Sequence, residues 1–149
     1  MTLTKRHFLI SAAAFAALPS AVFAATPPVY AEDGIAIDGT DPVAYFTDSA
    51  PVKGSSDFSH TYNGATWHFA SAANRDTFAA NPARYAPQYG GYCAYAVSEG
   101  YTTSTTPKAW KIVDGKLHLN YSKRVQRRWE KDIPTRITNA NANWPKVLE

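Results

Sequence analysis

Cys93 is the residue of this chain whose side chain could do the most chemistry. It is the only cysteine among 149 residues, so neither a disulfide nor a Cys-x-x-Cys motif can form within the chain. It follows Gly90-Gly91 and lies in the first turn of a predicted helix, where unpaired backbone N–H groups would lower the pKa of the thiol. The burial typical of a free cysteine favours a small buried apolar residue at Cys93. A ligand or a reactive thiol is the functional alternative.

A thiolate combined with imidazole nitrogens could bind copper or zinc. The candidates for such a site are Cys93, His60, His68 and His118. Their separations along the chain are not typical of a metal-ligand motif. His68 and His118 are predicted on the strand faces opposite to the apolar ones, so exposure to solvent is the expectation for both and metal binding is the alternative.

A second set of polar side chains lies next to the ends of predicted elements, where binding pockets often form. The candidates for contacts with a small ligand are Cys93, Tyr89, Tyr92, Asp41, Tyr45, Asn120 and Tyr121. Asp41 could instead cap a helix, and Asn120 could satisfy backbone groups. No known catalytic motif is present, so we expect no enzyme activity.

The elements that must position these residues are short. Asn63-Gly64 and Asp114-Gly115 each separate two β-rich runs, which predicts two hairpins. Capping residues and apolar spacing predict short helices over 71–80, 92–98, 122–132 and 135–143. The fold class is therefore α+β, a small single domain of two short β-hairpins packed with short helices.

Residues 1–24 are typical of a cleaved export signal. Lys5 and Arg6 precede an apolar run, and Val22-Phe23-Ala24 fits a cleavage site after Ala24. The segment around Lys5-Arg6 is also similar to a twin-arginine signal, although general secretion remains open. The run is too short for a membrane-spanning helix, and no later segment is long and apolar enough. We expect a periplasmic or otherwise exported protein, with a linker at 25–32 and the domain at 33–146.

The distribution of charge restricts the possible partners. Loss of Lys5 and Arg6 would lower the formal net charge from +3 to +1, which disfavours nucleic acid as a partner. Residues 25–107 hold three basic and eight acidic residues, whereas residues 108–149 hold ten basic and four acidic ones. The two halves could attract each other within one fold. Alternatively, the basic helix 122–132 could bind an acidic protein partner or an anionic membrane surface.

Several ordered blocks of the sequence resemble the YHS domain, and in particular exported bacterial proteins that contain it. The blocks are Asp41-Pro42-Val43, residues 62–71 (YNGATWHFAS), residues 88–95 (QYGGYCAY), residues 114–122 and residues 129–133. The resemblance covers about residues 33–146 and implies a YHS/TRASH-like core with a C-terminal extension. Metal-handling relatives carry cysteines at the positions that correspond here to Ala44, Ala70 and Asn74, so their thiol site does not transfer to this chain.

These observations predict a non-catalytic accessory domain that binds a small ligand or a metal at Cys93. Copper is favoured among metals only by the family resemblance and by the soft thiol. One alternative is a thiol-dependent redox partner, which would need an external thiol because the chain has no resolving cysteine. The other is a protein-interaction module that docks through the basic helix 122–132.

Overall fold

The computed structural model describes residues 13–20 and 25–149. Residues 13–20 have no regular secondary structure, and most of the predicted export signal, with its cleavage site at Ala24, lies outside the described residues. Within the described ranges, no helix has the length and apolar character needed to cross a membrane. The folded part of the chain begins shortly after the predicted cleavage site.

A four-stranded sheet forms the N-terminal half of the domain. Its strands are β1 (Ala31–Glu32), β2 (Ile35–Ala36), β3 (Ser55–Tyr62) and β4 (Ala65–Phe69), in the order β1-β2-β4-β3. β3 and β4 form the hairpin predicted at Asn63-Gly64, and both turn residues have positive φ, as this type of turn requires. The β2–β4 pair is parallel and was not predicted, because no local sequence signal marks the pairing of two distant strands.

Six short α-helices make up the helical part of the described residues. They are α1 (Ala44–Thr47), α2 (Ala72–Ala80), α3 (Pro82–Tyr85), α4 (Ala94–Ser98), α5 (Lys123–Glu130) and α6 (Ile133–Asn143). Ser71 and Ser122 cap α2 and α5 as predicted, because each hydroxyl accepts a hydrogen bond from the backbone N–H three residues later. Phe78 on α2 packs against Trp67 and Phe69 of β4, and these rings form the centre of the core beneath the sheet.

The second hairpin, β5 (Trp110–Val113) and β6 (Lys116–Leu119), is separate from the first sheet. Leu117 and Leu119 are fully buried, as their predicted face requires. His118 is also buried, between the rings of Tyr89 and Trp129, so the expected exposure of His118 is wrong. The alternation of apolar and polar residues predicted that only one face of β6 would be buried. In the structure, other residues pack against both faces of this strand.

Residues 25–32, predicted as a linker, contribute to the fold. Val29 and Tyr30 are buried, and Ala31–Glu32 is the first strand. The Tyr30 N–H donates to the carbonyl of Gly90, and the Thr26 N–H donates to the carbonyl of Leu148. We call residues 25–30 the N-terminal strap. The α+β class is confirmed, and the strap shows that the domain begins earlier than residue 33.

Candidate functional site

Cys93 lies at the start of α4 and is 1% exposed. Its sulfur accepts a hydrogen bond from the Tyr121 N–H at 3.2 Å and lies 3.6 Å from Asn120 Oδ1, to which the thiol donates. Burial raises the pKa of Cys93 above its ordinary value, and hydrogen bonds from backbone N–H groups offset only part of that shift. The expected lowering of the thiol pKa by the helix start is therefore wrong, because desolvation outweighs the N–H groups.

Cys93 lines a cleft of about 210 Å³ between α4, α5 and the loop that precedes β5. Tyr95, Tyr101, Thr103, Tyr121, Val125 and Arg128 line it as well. Within residues 25–149, the exposed large hydrophobic side chains are Tyr101 at 52% and Tyr121 at 54%. Both line this one cleft. Exposed aromatic side chains that share a concave surface mark a binding site far more often than scattered ones do.

Asn120 supports the cleft from beneath and is fully buried. Its Oδ1 accepts from the Cys93 thiol and from the Tyr95 N–H at 3.1 Å, so it ties β6 to the start of α4. Its Nδ2 has no hydrogen-bond partner among the described residues. Asn120 therefore holds Cys93 in position, and it is not among the residues that line the cleft.

Three tyrosines from the predicted ligand set are in the core. Tyr45 donates to the carbonyl of Pro107 and packs on Trp110, and burial raises its pKa. The Tyr89 hydroxyl donates to Asn141 Oδ1, and burial raises its pKa to about 12. The Tyr92 hydroxyl donates to the carbonyl of Pro27. Each hydroxyl thus joins distant parts of the chain, and of the predicted ligand set only Cys93 and Tyr121 line the cleft.

The predicted copper or zinc ligands are not brought together. His118 packs between aromatic rings, and its Nδ1 is paired with the carbonyl of Lys116 at 3.0 Å. His60 packs against Phe78, while His68 lies on the opposite face of the hairpin, next to Gly39. In the part of the chain that the structure describes, no group of three or more His, Cys, Asp or Glu side chains is placed to hold a metal ion.

Asp41 is fully buried, and its carboxylate accepts four hydrogen bonds. Its Oδ1 accepts from the N–H groups of Val43 at 2.8 Å and Ala44 at 3.3 Å, and so starts α1. Its Oδ2 accepts from the Ala70 N–H at 2.9 Å and from Asn74 Nδ2 at 2.8 Å. One carboxylate thus joins the entry to α1, the end of β4 and the first turn of α2, which agrees with the capping alternative for this residue.

A model of a known protein family matches part of this chain. The family model for the YHS domain matches residues 43–89, from the residue after Pro42 to Tyr89. The match supports the predicted resemblance to the YHS domain over these residues. No curated protein and no solved structure matches the chain. The Cys93 cleft lies beyond the match, in residues 90–149, which we call the C-terminal extension.

YHS domains are associated in general with metal binding, including copper. The residues that match the YHS model do not fit a soft-metal site at the positions where metal-handling relatives carry cysteines. Ala44 and Ala70 offer no donor atom, and the Asn74 amide already donates to Asp41. Backbone and side-chain N–H groups converge on one carboxylate there, which is the arrangement of an internal hydrogen-bond network.

The sequence did not point to Tyr101, Thr103 or Arg128 as site residues. Tyr101 and Thr103 belong to a polar loop without a predicted element, and Arg128 was one of several cations on a helix. No signal in the sequence marks them, because the loop reaches the site through the hydrogen bond from the Cys93 N–H to the carbonyl of Thr103. That contact is tertiary and leaves no periodic pattern in the sequence.

Proposed function

We propose that this protein is a non-catalytic binding domain that takes a small anionic ligand with a flat apolar ring in the Cys93 cleft. The pair of exposed tyrosines on one concave surface is the observation that carries the proposal. Tyr101 and Tyr121 offer aromatic faces on which a flat ring can pack. Arg128 offers a planar cation that pairs well with a carboxylate, sulfonate or phosphate group.

The state of Cys93 supports binding over thiol chemistry. A thiol whose pKa is raised by burial stays protonated near neutral pH, and a protonated thiol is a poor nucleophile. It also makes a poor ligand for a resident soft metal, since no second soft donor accompanies it among the described residues. Cys93 thus forms a neutral part of the cleft wall, and the charge that selects the ligand lies on Arg128.

Phenyl phosphate is the probe that tests this function, with benzyl alcohol as its neutral counterpart. We expect chemical-shift changes at the amides of Thr103 and Tyr121 with phenyl phosphate, and weaker binding of benzyl alcohol. Arg128→Gln should weaken phenyl phosphate binding about tenfold, or about 1.4 kcal/mol. Arg127→Gln is the matched control, because Arg127 is exposed on the same helix and does not line the cleft.

The proposal fails if Arg128→Gln and Arg127→Gln bind phenyl phosphate equally well, or if Tyr101→Ala leaves binding unchanged. Titration with Cu(I) under reducing conditions separates the metal alternative. Stoichiometric Cu(I) binding that Cys93→Ala abolishes, together with no phenyl phosphate binding, would replace this function with metal handling. Circular dichroism of each variant checks that the fold is retained.

The charge on α5 favours a second candidate function, the docking of an acidic protein partner. All five cations of the helix and its C-cap are exposed: Lys123, Arg124, Arg127, Arg128 and Lys131. None of them forms an ion pair within the described residues. Charge reversal of Arg124 and Arg127 together should abolish capture of an acidic partner while leaving phenyl phosphate binding intact, which distinguishes the two functions.

We extend the proposal to the cellular location. The features of residues 1–24 support export, so the cleft would meet ligands of the periplasm or another exported compartment.

A further inference from the structure

A larger groove lies away from the Cys93 cleft, where the N-terminal strap and the C-terminal residues meet the first hairpin. Its volume is about 580 Å³, nearly three times that of the Cys93 cleft at about 210 Å³. Pro28 and Leu148 contribute to its walls from the two ends of the folded chain. A groove of this size is in the range that takes small organic ligands.

Aromatic rings form one part of the groove, and packing holds them in place. Tyr62 and Trp144 line it and are half-buried, so part of each ring is accessible. Trp144 packs against Tyr89 and Tyr92, with ring centroids 6.0 and 6.4 Å apart. Tyr62 packs against Phe78 at 5.7 Å. These rings therefore offer fixed apolar surfaces.

Uncharged amides form the other part. Asn63, Gln88 and Asn141 line the groove. The Tyr89 hydroxyl donates a hydrogen bond to Asn141 Oδ1 at 2.9 Å. The two N–H groups of Asn141 Nδ2 remain available to a ligand. The side chains of Asn63 and Gln88 form no hydrogen bond within the described residues, so each offers both donors and an acceptor.

The charge of the groove narrows the class of ligand further. Lys116 is the charged residue in its lining, and among the described residues that line it none carries a carboxylate. A cationic ligand would find no counter-charge. A wholly apolar ligand would bury amide groups without partners, which is costly. The combination of flat rings with amide donors and acceptors suits a ligand that has apolar C–H faces and many hydroxyl groups.

We propose that this groove is a second binding site and that it takes a saccharide, with Lys116 able to pair with an acidic sugar. The C–H faces of the sugar ring pack on Tyr62 and Trp144, and the hydroxyls exchange hydrogen bonds with Asn63, Gln88 and Asn141. This site is independent of the Cys93 cleft, since the two linings share no residue.

Intrinsic tryptophan fluorescence and amide chemical shifts of the full chain test the proposal, because Trp144 lines the groove. The probes are cellobiose, N,N′-diacetylchitobiose and digalacturonate. We expect at least one to bind more tightly than about 10 mM and to shift the amides of Asn63 and Gln88. Gln88→Ala should weaken that binding about fivefold to tenfold. Asn139→Ala is the matched control, because Asn139 is exposed on α6 and does not line the groove.

Two further variants keep the test decisive. Trp144→Ala should abolish binding, and Trp144→Phe should restore part of it if the ring itself is the contact and not merely a packing element. Lys116→Gln should weaken digalacturonate alone, whereas Arg128→Gln should change no saccharide affinity. Absence of binding for all three probes, equal losses for Gln88→Ala and Asn139→Ala, or binding of a proline-rich peptide in place of every saccharide would overturn the assignment.

Discussion

Asp41 and Cys93 show how burial decides what a reactive side chain does. Both are buried, and both sit beside backbone N–H groups at the start of a short helix. The carboxylate collects four donors, so its charge is compensated and it joins three parts of the fold. The thiol is held by one backbone N–H and one amide oxygen, and desolvation raises its pKa. Asp41 therefore acts as structure, whereas Cys93 forms part of a cleft wall.

Asp41→Asn should destabilise the protein by about 2–4 kcal/mol. An amide keeps one acceptor oxygen and turns an NH₂ group toward N–H donors, so one of the two donor pairs loses its partner. Asp48→Asn is the matched control, because Asp48 is exposed, and it should change stability by less than about 0.5 kcal/mol. Urea unfolding at neutral pH measures both. Equal stability of the two variants would contradict the role given to Asp41.

His118 should make the protein sensitive to mild acid. Burial lowers its pKa from 6.5 to about 4, so the unfolded chain takes up a proton more readily than the folded one. Stability from this group is complete above pH 6.5 and falls as the pH drops from 6.5 to about 4, by about 3 kcal/mol at most. His118→Gln, which cannot titrate, should flatten the pH dependence of the free energy of unfolding in this range. An unchanged slope would show that His118 is not the group responsible.

At the scale of elements, the sequence predicted the hairpins and helix starts that are determined by a few neighbouring residues. Both hairpins were predicted from their turn residues, Asn63-Gly64 and Asp114-Gly115. The starts of two helices were predicted from the capping residues Ser71 and Ser122. Each of these signals acts within a few residues of the chain. Other features depend on contacts between segments that are distant in sequence. They are the parallel β2–β4 pair, the burial of His118 and the contact of the Thr103 loop with Cys93. Such contacts leave no periodic pattern, so the cleft could be predicted only as far as Cys93 and Tyr121.

Gly90 fixes the path of the N-terminal strap, and Gly90→Ala tests this. Its φ is +62°, and an added Cβ would lie 1.9 Å from the carbonyl oxygen of Pro28. Gly115 has a similar φ of +73° with nothing within 4 Å of an added Cβ, so it isolates the conformational cost. Gly115→Ala should cost about 1–2 kcal/mol, and Gly90→Ala at least about 2 kcal/mol more. Equal losses in urea unfolding would mean that the strap is not held against Gly90.

At the scale of the whole molecule, the two ends of the folded chain meet each other next to the YHS-like residues 43–89. Thr26 is bound to Leu148, Tyr92 to Pro27, and Val29 is buried at 3% exposure. The acidic N-terminal half and the basic C-terminal half carry opposite charges, which favours this closure at low ionic strength. The larger groove depends on this closure, because the strap and Leu148 form parts of its walls, whereas the Cys93 cleft is lined by residues between 93 and 128.

The predicted export signal ends just before the strap, so processing and folding should be compatible. Cleavage after Ala24 leaves Ala25 as the first residue, and Thr26 keeps its bond to Leu148. Mass spectrometry of the protein recovered from the periplasm of an expressing bacterium should give a chain that starts at Ala25. That chain should unfold at the same urea concentration as the uncleaved one.

A chain that starts at Tyr30 should lose about 3 kcal/mol of its free energy of unfolding, because it lacks the burial of Val29 and leaves the Tyr92 hydroxyl without Pro27. Recovery of the uncleaved chain alone would show that the strap is not the processed terminus. Equal stability of the chains starting at Ala25 and Tyr30 would show that the strap does not stabilise the fold.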